Sequence, residues 1–272
     1  MELLKYSVLI LYIIIAIYIT YYISNKNIYE PFNHETNEDK NDNHRYDLVV
    51  SRYNEDVDWL KTEPFNQFNT ILYNKGPEEP SKNCESDHCK IINLDNVGRC
   101  DHTFLYHIIN SYDDLGDVTI FLPGSCNDPH KFMNTKKVVD LVNKTKTTVL
   151  LGALFNDIPA DLYDFKMEEW AATNEKNKQL NGENKLEPSP IRPFGVWFEE
   201  NFGKDVHSKV VCYFGVFAVS KEHIKQHPIE YYQKFIKYLD YHSNPEVGHY
   251  MERSWGALFA PYPDSCLYSR DE

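Results

Sequence analysis

A long stretch near the start of the sequence has no charged side chain. No Asp, Glu, Lys or Arg occurs between Tyr6 and Asn25, a stretch of about 20 residues. As a helix rising about 1.5 Å per residue it would measure roughly 30 Å, the thickness of the hydrocarbon core of a bilayer. The stretch also lacks an A-x-A-like cleavage site, which a cleaved signal peptide would carry. We therefore predict a transmembrane anchor over residues 6–25, which makes the membrane a partner of this chain.

Positive charge is scarce in the chain as a whole. It has 28 Lys and Arg against 41 Asp and Glu, a net charge of -13 and a pI of about 5.3. A surface this acidic argues against a nucleic acid as a partner. Lys5 and the amino terminus give a weak bias towards the cytoplasmic side under the positive-inside rule. We therefore predict a single-pass membrane protein with a cytoplasmic N-terminus and a lumenal domain.

The sequence after the anchor divides into a stem and one domain. Residues 26–45 are polar and have almost no apolar periodicity, which predicts a flexible stem. Residues 46–272 contain recurring apolar segments and are numerous enough for one sizeable domain. Residues 1–25 are then the cytoplasmic tail and the transmembrane anchor.

Strand-like and helix-like segments alternate along this domain. The strand-like segments are 47–53, 69–75, 90–94, 117–124 and 147–154, with two short strands predicted within 209–220. The helix-like segments are 57–64, 102–115, 128–144, 228–242 and 247–259. The alternation predicts an α/β fold with a single, mostly parallel sheet flanked by helices. In such sheets ligands bind beyond the carboxyl ends of the strands.

Six cysteines are present, and an even number in a lumenal domain predicts disulfides. Cys84 and Cys89 close a short loop and are the expected local pair. The alternative is a zinc site that adds His88 and Cys100. A C-x4-C pattern without a second matching pair is weak evidence for zinc.

A cluster of charge follows the first predicted strand. Arg52, Asn54, Glu55, Asp56 and Asp58 occur within seven residues. One interpretation is a helix start, in which Asn54 caps the helix and the carboxylates complement its dipole. The other is a ligand site, because three carboxylates in four residues repel one another unless a cation, an arginine or a sugar lies between them. Asp56 and Asp58 form a D-x-D pair, which can bind a divalent cation held by nucleotide phosphates.

A turn before the second long helix delivers an arginine. Arg99 follows Asn96-Val97-Gly98, and its guanidinium suits bidentate contact with phosphate or carboxylate. The amides at the helix start would add affinity for an anion. Asp101 is a candidate helix cap, and His102 is a candidate substrate-binding residue.

The strand over 117–124 breaks at Pro123-Gly124 and is followed by Asp128. Asp128 with Pro129 is also an ordinary helix start, with proline at the first helical position. Residues 113–128 contain no clean D-x-D, so Asp56 and Asp128 are both left as possible ligands of Mn²⁺ or Mg²⁺.

The last predicted helix carries polar residues on one face. His249, Glu252 and Arg253 are related by i, i+3 and i+4 spacing. A surface charge pair, with Trp255 in the core, is one interpretation. The other makes Glu252 a general base towards a sugar hydroxyl, beside Arg253 and the Trp255 ring.

These segments occur together, in order, in a known family. The chain contains VVSRYNED (49–56), NVGR (96–99), HTFL (102–105), FGVW (194–197), FAVS (217–220) and GHYMERSW (248–255). This pattern resembles an uncharacterised family of fungal, algal and giant-virus proteins, which itself resembles glycosyltransferases of the GT-A type. The resemblance covers roughly residues 46–260. Two positions depart from it, since Cys100 and Pro123 replace an expected glutamate and glutamine.

The resemblance implies a membrane-anchored glycosyltransferase-like enzyme with a nucleotide-sugar donor and a glycan or protein hydroxyl as acceptor. It places Glu252 as the catalytic base. The donor-binding set is Arg52, Asn54, Glu55, Asp56, Arg99 and Asp128, with Arg99 facing the diphosphate. The substrate-binding set is His102, His249, Arg253 and Trp255.

Two alternatives stay open on the sequence. One is a membrane-tethered domain that binds a glycan or protein without turnover, which the two departures favour. The other is a metal-dependent hydrolase built on His102, Asp128, His130 and His249.

A glycosylation sequon tests the predicted topology. Asn143-Lys144-Thr145 fits N-x-[ST], and a lumenal, accessible site of this kind accepts a glycan. Expression of the full chain in a secretory system should give an endoglycosidase-sensitive mobility shift that Asn143→Gln abolishes. A wild-type chain that is inserted into microsomes without this shift would contradict the lumenal placement.

Overall fold

The computed structural model describes residues 44–78, 80, 84, 88–167 and 186–270. The predicted anchor over 6–25, the stem up to residue 43 and part of the predicted loop over 172–193 lie outside these residues. Within the described part of the chain, no helix is both long and apolar enough to span a membrane.

The described residues form a mixed α/β domain. Its strands are β1 (Tyr46–Arg52), β2 (Asn69–Asn74), β3 (Cys89–Asn93), β4 (Val118–Pro123), β5 (Leu150–Leu154), β6 (Val210–Val211), β7 (Phe217–Ser220) and β8 (Leu267–Ser269). Its helices are α1 (Arg99–Asn110), α2 (Pro129–Thr145), α3 (Ala160–Tyr163), α4 (Phe194–Phe202), α5 (Lys221–Lys225), α6 (Ile229–Ile236) and α7 (Glu246–Leu258). Helices thus flank a central sheet, as the alternating pattern predicts.

The central sheet has the strand order β3-β2-β1-β4-β7. The first four strands in this order are parallel, and β7 runs antiparallel to β4. On β1, Leu48 and Val50 pack into one hydrophobic core and Val49 into the other. A strand buried on both faces needs this continuous apolar run. The polar residues of the strand therefore cluster at its two ends.

The prediction of a single sheet is wrong. A second sheet of three strands has the order β6-β5-β8, with β5 antiparallel to β6 and parallel to β8. The apolar run 209–220 gives two strands, as predicted, because its middle turns. Phe214 and Gly215 have left-handed backbones there, with φ of 70° and 66°. The turn sends β6 to β5 and β7 to β4, so one apolar run serves two sheets. The sequence patterns did not predict α3, α4, α5 or β8.

The disulfide prediction is only partly confirmed. Cys84 and Cys89 are bonded, while Cys100, Cys126, Cys212 and Cys266 are free thiols. Burial raises the pKa of Cys126 to about 12 and that of Cys266 to about 11. The thiolate is the reactive form of cysteine, so these thiols are inert at neutral pH. The even number of cysteines therefore overstates the disulfide content of the described domain.

A buried carboxylate fixes the start of α7. Glu246 is 0% exposed and accepts hydrogen bonds from the backbone amides of Met167 and Ser189, at 2.9 and 2.8 Å. The Tyr250 hydroxyl donates to it at 2.9 Å, and the Arg192 guanidinium forms an ion pair at 2.9 Å. Every lone pair of this charge thus has a partner, which makes its burial tolerable.

Removing that carboxylate should destabilise the domain strongly. Glu246→Ala removes the buried carboxylate that Arg192 and two amides share, and we expect a loss of about 3–5 kcal/mol in unfolding free energy. Asp264→Ala is the matched control, because its ion pair with Lys209 at 2.8 Å is exposed (79% for the Asp264 side chain). That control should cost less than about 1 kcal/mol in a urea titration. Equal losses would contradict the central role of Glu246.

Candidate functional site

The loops after β1, β2 and β4 lie at one edge of the central sheet. These strands are parallel neighbours, and Arg52, Asn74 and Pro123 are their last residues. Helix α1 is tied to this edge by a 2.8 Å hydrogen bond between the hydroxyls of Ser51 and Thr103. Because ligands of open α/β sheets bind outside the carboxyl ends of the strands, this edge is the candidate functional site.

Arg99 and His249 meet at this edge although they are 150 residues apart. One guanidinium nitrogen of Arg99 lies 3.0 Å from Nε2 of His249 and 3.5 Å from Oδ1 of the Asn244 side chain. Burial, with Arg99 and Arg253 nearby, holds the pKa of His249 well below its usual value. The imidazole is therefore neutral, and since arginine only donates, Nε2 accepts. The pair fixes the direction of the Arg99 side chain.

Asp101 is a buried carboxylate beside this pair. It is 2% exposed, and Trp255 donates its indole N–H to Oδ1 at 3.0 Å. Burial and the neighbouring Glu252 carboxylate raise the pKa of Asp101 to about 7, against the opposing effect of Arg99. Asp101 thus binds a partner on α7, and the predicted role as a helix cap is wrong. The Cys100 thiol lies 3.7 Å from Oδ2, and burial raises its pKa well above the usual value.

Glu252 is held by the turn between β6 and β7. The backbone N–H of Phe214 donates to Oε1 at 2.6 Å, and Arg253 lies 3.5 Å from Oε2. The Glu252 side chain is 21% exposed, so one oxygen is fixed while the carboxylate keeps access to solvent. A carboxylate with one anchored oxygen and an open side is suited to accept a proton from a bound hydroxyl.

Two residues with a strained backbone lie at this edge, Phe214 next to the Glu252 carboxylate and Arg99 at the start of α1. Arg99 has a φ of 55° and Phe214 a φ of 70°, and neither is glycine. A left-handed backbone at such a residue costs on the order of 1 kcal/mol and persists only where the surroundings enforce it. Strain of this kind concentrates at functional sites, which supports the assignment of this edge.

The loop after β1 serves mainly to hold its own backbone. The Arg52 guanidinium donates to the carbonyls of Glu55 and Glu78, both at 2.9 Å, and to the Asn74 side chain at 2.5 Å. Glu55 accepts from the amides of Tyr53 and Asn54 at 2.6 and 3.1 Å. Arg52 thus ties this loop to the loop after β2, and Glu55 holds the backbone of its own loop.

Asn54 is the exception in this loop. It is buried, and among the described residues neither its amide nitrogen nor its amide oxygen has a hydrogen-bond partner. The proposed cap of a following helix is wrong, because the short 3-10 helix Asp58–Lys61 begins after Val57 without a side-chain cap. A buried amide without partners has its full bonding capacity left for a water or a ligand.

The possible metal ligands do not converge. The Asp56 side chain is exposed and accepts from the amide of Asp58 at 2.9 Å, and Asp128 lies 3.5 Å from the Lys131 ammonium. Asp128 occupies the helix start of α2 with proline after it, as the sequence predicts. In the described residues no group of three or more His, Cys, Asp or Glu side chains could hold a metal ion. The four residues of the hydrolase hypothesis are among the described residues, so they do not form such a group.

The remaining substrate-binding candidates lie in the protein rather than on an open surface. Trp255 is fully buried in the core. Arg253 stacks over the Phe165 ring at 3.7 Å and donates to the His249 carbonyl at 2.8 Å. His102 is buried, and desolvation lowers its pKa to about 4. These residues therefore pack beneath the site and do not line its surface.

Sequence reasoning missed Lys75 entirely. It follows β2 directly, is buried, and donates to the backbone carbonyls of Val97 and Arg99. A lysine at the carboxyl end of a predicted buried strand was the available signal. Of the predicted residues, Arg99, His249 and Glu252 lie in one region of this edge. Asn54 lies next to Gly76, the residue after Lys75. Asp56 contacts Asp58 instead.

Comparison with protein families identifies one match. The family model described as "Protein of unknown function (DUF3431)" matches residues 48–271. The chain belongs to this family. The match begins at Leu48, within β1, and includes Lys75, Arg99, Asp101 and Glu252. A search of curated proteins finds no match.

The raised pKa of Asp101 predicts how the stability of this DUF3431 domain depends on pH. The folded state binds the Asp101 proton up to about pH 7, whereas the unfolded chain releases it near pH 4. This group therefore destabilises the fold increasingly between pH 4 and 7, and fully above that. Asp101→Asn keeps an acceptor for Trp255 and should be more stable than wild type by on the order of 2 kcal/mol at pH 8.

At pH 4 the advantage of Asp101→Asn should vanish. Asp205→Asn, at an exposed position, is the control and should show no such difference between the two pH values. Urea titrations at pH 4, 6 and 8 measure the effect. A difference between Asp101→Asn and wild type that does not change with pH would contradict the raised pKa.

Proposed function

We propose that the chain is a glycosyltransferase-like enzyme that transfers a sugar from a nucleotide-sugar donor to a hydroxyl of a glycan or protein. The observation that carries the proposal is the placement of Glu252 and Arg99 together at the carboxyl edge of a mostly parallel sheet. A base and a cation at this edge are the two elements that such a transfer needs. The GT-A relationship is part of the proposal.

Arg99 is the candidate residue for binding the diphosphate of the donor. Its guanidinium offers donors in a fork that matches phosphate oxygens. His249 accepts one of these donors and so orients the guanidinium without neutralising it. Lys75 adds a second positive charge, because its ammonium binds the backbone carbonyl of Arg99. Together these groups favour an anionic ligand at the start of α1.

Glu252 is the candidate base for the acceptor hydroxyl. Its Oε1 is anchored by the Phe214 amide, and Oε2, which lies 3.5 Å from Arg253, is the oxygen proposed to receive the proton. Deprotonation makes the hydroxyl oxygen the attacking nucleophile at the anomeric carbon, and the nucleoside diphosphate leaves. The half-buried rings of Phe165 and Tyr213, which flank the neighbouring Arg253, give this side an aromatic wall for an acceptor sugar.

Asn54 is the remaining donor-site candidate of the loop after β1, because its buried amide has no partner in the described structure. Arg52 and Glu55 support that loop. A divalent cation remains part of the proposal, with Asp56 or Asp128 as a ligand together with donor phosphates. Membrane anchoring through residues 6–25 and a lumenal domain complete it.

Glycan or protein binding without turnover is the second candidate function. It is favoured by Cys100, since a partly buried thiol, kept neutral by a pKa raised through desolvation, occupies the position where the family resemblance implies a glutamate. The enzyme and a glycan-binding domain both bind a sugar-containing ligand, whereas a protein-binding domain does not. Only the enzyme releases a nucleoside diphosphate.

Substitution of Glu252 tests the enzymatic role. Glu252→Gln keeps an acceptor for the Phe214 amide but removes the base, so release of nucleoside diphosphate should fall by at least about 100-fold. Thermal shift with a panel of nucleotide sugars, with and without Mn²⁺, should show unchanged donor binding. Glu200→Gln, at an exposed position on α4, is the control and should keep full activity.

Two outcomes would overturn this assignment. Unchanged turnover in Glu252→Gln would remove the proposed base. A wild-type protein that binds free sugars but no nucleotide sugar would favour the non-catalytic alternative.

A further inference from the structure

Lys75 is the most unusual buried charge near the site. It is 7% exposed, and its ammonium donates to two backbone carbonyls, those of Val97 and Arg99, the latter at 2.5 Å. No described carboxylate lies within ion-pair distance of its Nζ atom. Lysine is almost never fully buried without an opposite charge, because desolvation of the ammonium costs several kcal/mol. The fold therefore keeps a costly cation where two neutral carbonyls are its partners.

The carbonyls that bind Lys75 belong to a left-handed turn. Gly98 and Arg99 have φ values of 59° and 55°. The Gly98 amide donates to the His242 carbonyl at 2.7 Å, and a Cβ on Gly98 would lie 2.5 Å from the Leu239 carbonyl oxygen. Glycine is thus required at residue 98 by both its backbone and its neighbours. Arg99 has no such freedom, and its backbone carries the strain.

We propose that Lys75 is a positioning residue, whose ammonium holds the Val97–Arg99 turn in its left-handed form and thereby aims the Arg99 guanidinium at His249 and the sheet edge. The two hydrogen bonds bracket the strained residue, one to the carbonyl before Gly98 and one to that of Arg99 itself. If Arg99 relaxed to a negative φ, its carbonyl would rotate away from the ammonium. The buried lysine would then lose a partner, which couples the two conformations.

A stability cycle tests the turn without reference to any activity. Arg99→Ala and Arg99→Gly both remove the guanidinium, but only glycine accepts a positive φ without strain. In the wild-type background, Arg99→Gly should unfold with an equilibrium constant about fivefold lower than that of Arg99→Ala.

In a Lys75→Met background the order should reverse. Methionine keeps the unbranched stem and removes the ammonium, so the turn is free to adopt a negative φ. Alanine is then preferred over glycine, because glycine loses more backbone entropy on folding. Lys75→Gln retains a hydrogen-bond donor. In that background the stability difference between Arg99→Gly and Arg99→Ala should lie between the values in the wild-type and Lys75→Met backgrounds. Urea titrations of the single and double variants measure all of these differences.

Two results would overturn the proposal. One is a glycine advantage at residue 99 that persists unchanged in Lys75→Met, since the turn would then be held by other contacts. The other is the absence of any glycine advantage in the wild-type background. Should Lys75→Met fail to fold, Lys75→Gln alone must reduce the advantage.

The consequence for activity rests on the proposed function. Lys75→Met should raise the KM for the nucleotide sugar by about the same factor as Arg99→Ala, with the double variant no worse than either single one. A reversed glycine preference with no nucleotide-sugar binding by wild type would support the positioning role and refute the glycosyltransferase proposal. Fully additive losses, with wild-type binding intact, would refute the positioning role alone.

Discussion

The burial of the central sheet on both faces is the constraint on which the arrangement of the site depends. Strand β1 lies between β2 and β4, and its residues from Asp47 to Arg52 are all buried. Side chains from both faces of the strand enter hydrophobic cores, so polar chemistry has no place along its length. Only the ends of the strands are open to polar groups. The parallel direction of β1, β2 and β4 then brings three polar loops to one edge, where α1 and α7 supply the candidate site residues.

Much of this fold could be predicted because its signals are local. The apolar run of β1, the helical periodicity of α7 and the proline at the start of α2 depend on neighbouring residues only. The second sheet could not be predicted in this way. Its strand β6 has two residues, and β5 pairs Leu150 with Leu267, more than one hundred positions away. Short strands of this kind are fixed by tertiary packing, and single-sequence patterns carry no record of their partners.

The candidate site shows the same division. Glu252 and His249 could be predicted from helical spacing, and Arg99 from its place before a helix. The role of Asp101 could not, because its partner Trp255 is 154 residues away and the same residue suits a helix cap equally well. Lys75 is the last residue of a strand that the sequence predicts, but lysine is normally solvated, so its burial contradicts the ordinary expectation. Residues that break such an expectation are those for which the structure adds most to sequence reasoning.

The balance of charge at this edge connects the buried groups to the proposed chemistry. Lys75 and Arg99 bring two positive groups, while the thiol of Cys100 stays neutral because burial raises its pKa. The raised pKa of Asp101 means that this carboxyl carries only part of a negative charge near pH 7. Glu252 is then the principal anion, and it lies on the α7 side next to the Phe214 turn. A glutamate in place of Cys100 would add a carboxylate beside Asp101 and offset one of the two cations. With cysteine there, the positive groups are less fully compensated, and this suits a ligand that brings its own negative charge, as a diphosphate does.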